Sequence, residues 1–157
     1  MEVKRGKEGI RNPIEILNTM AGREIPMGLN PASSHRLVFT TREPIGVAVA
    51  ISAFNYPFNL IVHQVSPAVA TGCPVIIKPA QTTPLSCQNL VEALYEAGLP
   101  KQLCQMVLLD NEGAEALATD PRIDFSLSSD HLEWVGICDP SSLQERAVLS
   151  SMAGRPR

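Results

Sequence analysis

Gly46-Val-Ala-Val-Ala-Ile51 and Pro74-Val-Ile-Ile-Lys78 are short, unbroken apolar runs. Runs of this length and continuity suit strands buried on both faces. Asn55-Tyr-Pro57 breaks the first run. Leu60, Ile61, Val65 and Val69 then recur at helical spacing over residues 58–70, and Gly72 supplies a stop. Beyond the second run, Thr82-Thr-Pro84 signals a helix start. Leu90, Val91 and Leu94 give residues 86–97 an apolar face, and Gly98 closes that helix. Gln105-Met-Val-Leu-Leu109 reads as a third strand, and residues 111–118 as a short helix ended by Asp120-Pro121. Ile123 and Phe125 open a fourth strand. Strands alternating with helices predict the α/β class, with a parallel, doubly wound sheet.

In such sheets, ligands bind outside the carboxyl ends of the strands. Two segments occupy that position, residues 52–57 and residues 78–83. Neither is a glycine-rich phosphate loop, so the residues alone predict a polar mouth for a small anionic or polar ligand. The flanks differ from this middle. Residues 1–43 are charged and loop-rich, with Pro13, Pro26 and Pro31, while residues 126–157 are rich in Ser, Arg and Pro without a sustained period.

The chain has 157 residues, 45% of them hydrophobic and 18% charged, enough for a single core. Its formal charge of −3 argues against a nucleic-acid footprint, and no apolar run reaches the roughly 18 residues of a membrane span. The charged start, Met1 to Glu8, does not resemble a secretory signal. Cys73, Cys87, Cys104 and Cys138 form no short-spaced pair, which predicts reduced thiols in a cytoplasmic protein and no metal site.

Glu43-Pro-Ile-Gly-Val-Ala-Val-Ala-Ile-Ser-Ala-Phe-Asn-Tyr-Pro57 resembles the aldehyde dehydrogenase superfamily. So does Pro67-Ala-Val-Ala-Thr-Gly-Cys-Pro-Val-Ile-Ile-Lys-Pro-Ala-Gln-Thr-Thr-Pro-Leu85, and Glu96-Ala-Gly-Leu-Pro100 and Asp120-Pro-Arg-Ile-Asp124 continue in register. The resemblance implies an incomplete Rossmann-like cofactor domain and oxidation of an aldehyde to a carboxylic acid with NAD or NADP. In that family a cysteine thiolate attacks the aldehyde, hydride passes to the nicotinamide, and a glutamate activates the hydrolytic water. By resemblance, Asn55 is the catalytic asparagine that donates to the oxyanion. Ile51, Ser52, Ala53 and Phe54 form the backbone wall beside the cofactor. Lys78, Ala80 and Gln81 fall at the adenosine ribose. Many NAD-preferring members carry Glu where Gln81 stands, and Gln removes that carboxylate's repulsion of a 2′-phosphate. His63 receives no role, and Cys73 is expected in the core rather than as nucleophile.

The resemblance implies three parts: residues 1–43 as an N-terminal helix and loop segment, residues 44–125 as a partial dinucleotide-binding domain, and residues 126–157 as a tail unlike the family. The family continues past this point with a run like F-x-G-S-x-x-V-G, yet Phe125 is followed by Ser126-Leu-Ser-Ser-Asp-His-Leu-Glu-Trp-Val-Gly136. A frame one base earlier forces a glycine from Trp134-Val135 and another from Met152-Ala153. The first falls on the last glycine of that run, and the second on a glycine of the family's E-x-G-G. The tail is therefore expected to be frame-shifted, to pack poorly, and to leave a sheet edge open to self-association. A fragment without the catalytic Cys and Glu is expected to be inactive alone and to bind NAD or NADP weakly or not at all. The alternative is a non-catalytic nucleotide-binding or subunit-interaction piece.

Overall fold

The computed structural model describes residues 1–129 and the strand at 147–150. Four parallel strands form the centre: β3 (Ala48–Ile51), β4 (Val75–Lys78), β5 (Cys104–Met106) and β6 (Phe125–Ser128), in the order β5-β4-β3-β6. Ala48 faces Val75 on one side and Phe125 on the other, and the register runs to Ile51 opposite Lys78 and Ser128. All of β3 is buried, as its unbroken apolar run requires.

Helices cover both faces. Helix α2 (Pro57–Ala70) and helix α3 (Pro84–Glu96) pack Ile61, Val62, Val65, Leu90 and Val91 against Ala48, Ala50, Val75 and Ile77. Helix α4 (Asn111–Ala118) packs Ala114 and Ala118 against Val49 and Ile51 on the other face. The path from β3 goes outward to β4 and β5, then returns through α4 to β6. The strand order therefore reverses at β3, a topological switch point. Gly72 and Gly98, at φ +78° and +95°, end α2 and α3 where the sequence predicts stops.

Three expectations need correction. First, the loop-rich character of residues 1–43 begins only past residue 19. Helix α1 (Glu2–Thr19) buries Gly6, Gly9 and Pro13 and packs along α2. Its inner face is made of small residues, because a Cβ at Gly6 would fall 2.2 Å from the Phe58 ring and one at Gly9 2.9 Å from Val62. Such a face gives no apolar period, and Pro13 reads as a breaker. Beyond α1, β1 (Glu24–Ile25) pairs antiparallel with β2 (Leu37–Thr40), which also pairs with β7 (Ala147–Ser150).

Second, β5 lies earlier than predicted. Residues 101–103 form a 3-10 turn, and pairing is exhausted soon after Met106 because β4 ends at Lys78. Third, Ser126–Ser129 do not pack poorly. Ser126, Leu127 and Ser128 complete the ladder on β3. The Ser129 amide then donates to Ile51 O at 3.0 Å, and its hydroxyl accepts from Ala53 N at 2.9 Å. A parallel ladder joins backbones, so three residues with modest strand preference suffice where β3 already offers an edge. The expectation for the rest of the tail falls, at residues 130–146 and 151–157, outside the described residues.

Candidate functional site at the strand ends

The parallel register sets Ile51 beside Lys78, so the two predicted mouth segments leave the sheet side by side. The Ser52 amide donates to Lys78 O at 3.0 Å, which extends the pairing one residue past β3. Ile51, Ser52 and Ala53 are buried, whereas Phe54, Asn55 and Tyr56 project into solvent. The chain turns there through Tyr56, a non-glycine residue in the left-handed region at φ 54° and ψ 51°. That conformation is uncommon outside glycine and often marks functional loops. Pro57 then starts α2. The Asn55 side chain is exposed and has no hydrogen-bond partner among the described residues.

Lys78 is only 6% exposed, and its side chain has no hydrogen-bond or ion-pair partner among the described residues. Its stem is buried, while its ammonium is not among the fully buried polar atoms and keeps contact with solvent. The Ser52 hydroxyl and the Thr83 hydroxyl are buried without partners. Pro79 is fully buried and Ala80 half-buried, and Ala80 O accepts from Thr83 N at 3.1 Å, which closes the turn into α3. Gln81 is exposed, and its Nε2 donates to Leu109 O at 3.1 Å. That bond ties the loop after β4 to the loop after β5. Gln81, Asp110, Asn111 and Glu112 line one open groove.

Two supports were not read from the sequence. Gln64, buried on α2, donates from Nε2 to Ile51 O at 3.1 Å and holds the end of β3. Its signal was a glutamine inside the apolar stripe of Ile61, Val62 and Val65. Glu2 supplies the cap that Tyr56 does not. Its Oε1 accepts from Phe58 N at 2.9 Å and Asn59 N at 3.1 Å, the free amides of the first turn of α2. A contact across 56 positions leaves no local pattern.

The described cysteines do not reach this mouth as nucleophiles. Cys73, Cys87 and Cys104 are buried free thiols. Burial pushes Cys87 up to about 12, with the neighbouring Cys104 adding to it, and burial pushes Cys104 up to about 11. Both stay protonated at neutral pH, and thiolate chemistry is closed to them. Cys138 lies outside the described residues. Among the described residues no group of His, Cys, Asp or Glu could hold a metal ion, and no helix is long and apolar enough to cross a membrane.

Comparison with known proteins agrees with this geometry. Residues 1–126 match the model of the aldehyde dehydrogenase family. The chain is 40% identical over 114 residues to a 3-sulfolactaldehyde dehydrogenase of Priestia aryabhattai, covering 73% of this chain and 24% of that protein. It is 39% identical over 114 residues to aspartate-semialdehyde dehydrogenase 1 of Pseudomonas canavaninivorans, with the same coverages. The fold superposes with a TM-score of 0.74 and 35% identity on an NADP-dependent glyceraldehyde-3-phosphate dehydrogenase from Bacillus halodurans C-125 complexed with NADP, over 80% of this chain and 27% of that one. The chain spans about a quarter of the length of these relatives. With the family match running from α1 to the first residues of β6, and the same sheet and switch point beneath it, this chain belongs to the aldehyde dehydrogenase family.

Proposed function

We propose that this chain forms the adenosine-ribose side of a nucleotide site, and that the whole protein of which it resembles a part oxidises an aldehyde to a carboxylic acid with NAD or NADP. The observation that carries the reading is Lys78: a mostly buried lysine whose ammonium is unpaired among the described residues, at the carboxyl end of β4 beside the switch point. The donor set fits the ribose end of a dinucleotide, since Lys78 can donate to hydroxyl oxygens and Gln81 can donate and accept. When bound, the dinucleotide supplies the hydride acceptor. Ile51 to Phe54 would then wall the nicotinamide side, with Gln64 and Ser129 fixing the Ile51 carbonyl. Asn55, with its amide unengaged, is available to donate to a developing oxyanion.

Cys73, Cys87 and Cys104 are buried, and burial keeps Cys87 and Cys104 protonated, so this chain by itself does not turn over aldehyde. Without the family's run after Phe125 it holds the nucleotide weakly. The tail beyond Phe125 is read as out of frame, a reading supported by the family match ending at residue 126. Sequencing the gene across the codons for Asp124 to Ser129 tests it. The buried free thiols favour a reducing, cytoplasmic setting.

Amide chemical shifts followed during titration with 5′-AMP test the nucleotide reading. Shifts confined to residues 51–55 and 78–83, lost in Lys78→Ala, are expected. Binding that ignores Lys78→Ala would remove this site from the account.

A further inference from the structure

Gln81 invites the expectation that a 2′-phosphate is tolerated, yet its surroundings oppose that. Leu109 O can only accept, so the amide group facing it is the Nε2 donor. One N–H of Gln81 is thereby committed, while Oε1 remains an acceptor without a partner, suited to a ribose hydroxyl. The groove that Gln81 shares holds two carboxylates, Asp110 and Glu112, and no cation among its lining residues. Lys78, the last residue of β4, does not line this groove.

The two carboxylates differ. Asp110 is the N-cap of α4: its Oδ1 accepts from Gly113 N at 2.8 Å, so its charge is offset by the amides of that helix end. Glu112 is exposed in the first turn and has no hydrogen-bond or ion-pair partner among the described residues. A phosphate entering this groove would meet the Glu112 carboxylate with no cation in the lining, whereas a hydroxyl would meet acceptors.

We propose that the groove lined by Gln81, Asp110, Asn111 and Glu112 makes this chain's nucleotide site select a free 2′-hydroxyl over a 2′-phosphate, with Glu112 as the discriminating charge. The inference rests on the cofactor reading above and makes the site NAD-selective despite Gln81.

The test is an amide-shift titration of the full chain with 5′-AMP and with adenosine 2′,5′-bisphosphate at matched ionic strength. AMP is expected to bind about tenfold more tightly, from the repulsion of a doubly charged phosphate near carboxylates. Glu112→Gln, an exposed change that leaves the Asp110 cap intact, should narrow the gap to about threefold, chiefly by tightening the bisphosphate, and Glu112→Lys should close it. Equal or tighter binding of the bisphosphate by the unaltered chain overturns the inference while the cofactor reading stands. A gap that persists unchanged in both variants does the same. If neither nucleotide moves the amides of residues 78–83, the cofactor reading itself falls, and the inference falls with it.

Discussion

Gly46 shows how little room one position leaves. It sits at φ +116°, and a Cβ there would lie 2.0 Å from Asp124 Oδ2, the atom that accepts from Val47 N at 2.8 Å. That carboxylate joins the start of β3 to the start of β6. Gly46→Ala should therefore cost about 3 kcal/mol, from backbone strain and a displaced carboxylate, read as a lower urea midpoint. Cys87 and Cys104 lead to a pH prediction. Their thiol pKa values, raised to about 12 and about 11, favour the folded state only while the unfolded thiols stay protonated. That stability is full below the ordinary thiol pKa and is lost as pH rises through about 11 and 12. Melting temperature should fall progressively above about pH 9, and less steeply in Cys87→Ala. A thiol reagent at neutral pH should leave both cysteines unlabelled until urea unfolds the chain. Asp120 behaves in the opposite sense. The Arg122 guanidinium at 2.7 Å, together with the Arg122 amide, holds its carboxyl well below the usual range, so the turn ending α4 keeps this pair until strongly acidic pH.

Among elements, α2 depends on α1. Glu2 satisfies two amides at the N-terminus of α2, so Glu2→Ala should cost about 1 kcal/mol, while Glu2→Gln, which keeps an acceptor, should cost less. Protection of the Phe58 and Asn59 amides from hydrogen exchange reads the same contact directly. The sequence reveals α2, α3 and α4 because each carries an apolar stripe and a glycine or proline at its ends. It conceals α1, whose packing surface is glycine and proline. At β6, truncation after Asp124 removes four residues paired to β3 and the Ser129 contacts, whereas truncation after Ser129 keeps them. The first truncation should lower the thermal midpoint more than the second. Equal midpoints would mean that β6 adds nothing to the sheet.

For the whole molecule, the strand ends of β3 and β4 lie side by side as the proposed nucleotide site requires, while Cys73, Cys87 and Cys104 are all buried. The purified chain should give no aldehyde-dependent reduction of NAD or NADP. Turnover abolished by replacing a single cysteine would contradict this. Asn55, Lys78 and Gln81 could be singled out in the sequence because long ordered motifs carry them. Gln64 and Glu2 were not, because each acts through a partner farther along the chain. By itself the sequence determined the α/β class, the buried strands β3 and β4, the helix stops at Gly72 and Gly98, and the family, since periodicity and chain breakers are local properties. Only the tertiary structure decided that α1 is a helix seated on α2, that β6 runs through Ser128, and that Gln81 shares a groove with two carboxylates. Those outcomes depend on which backbones and side chains come together in space, and close contacts between distant residues leave no periodic trace in the chain.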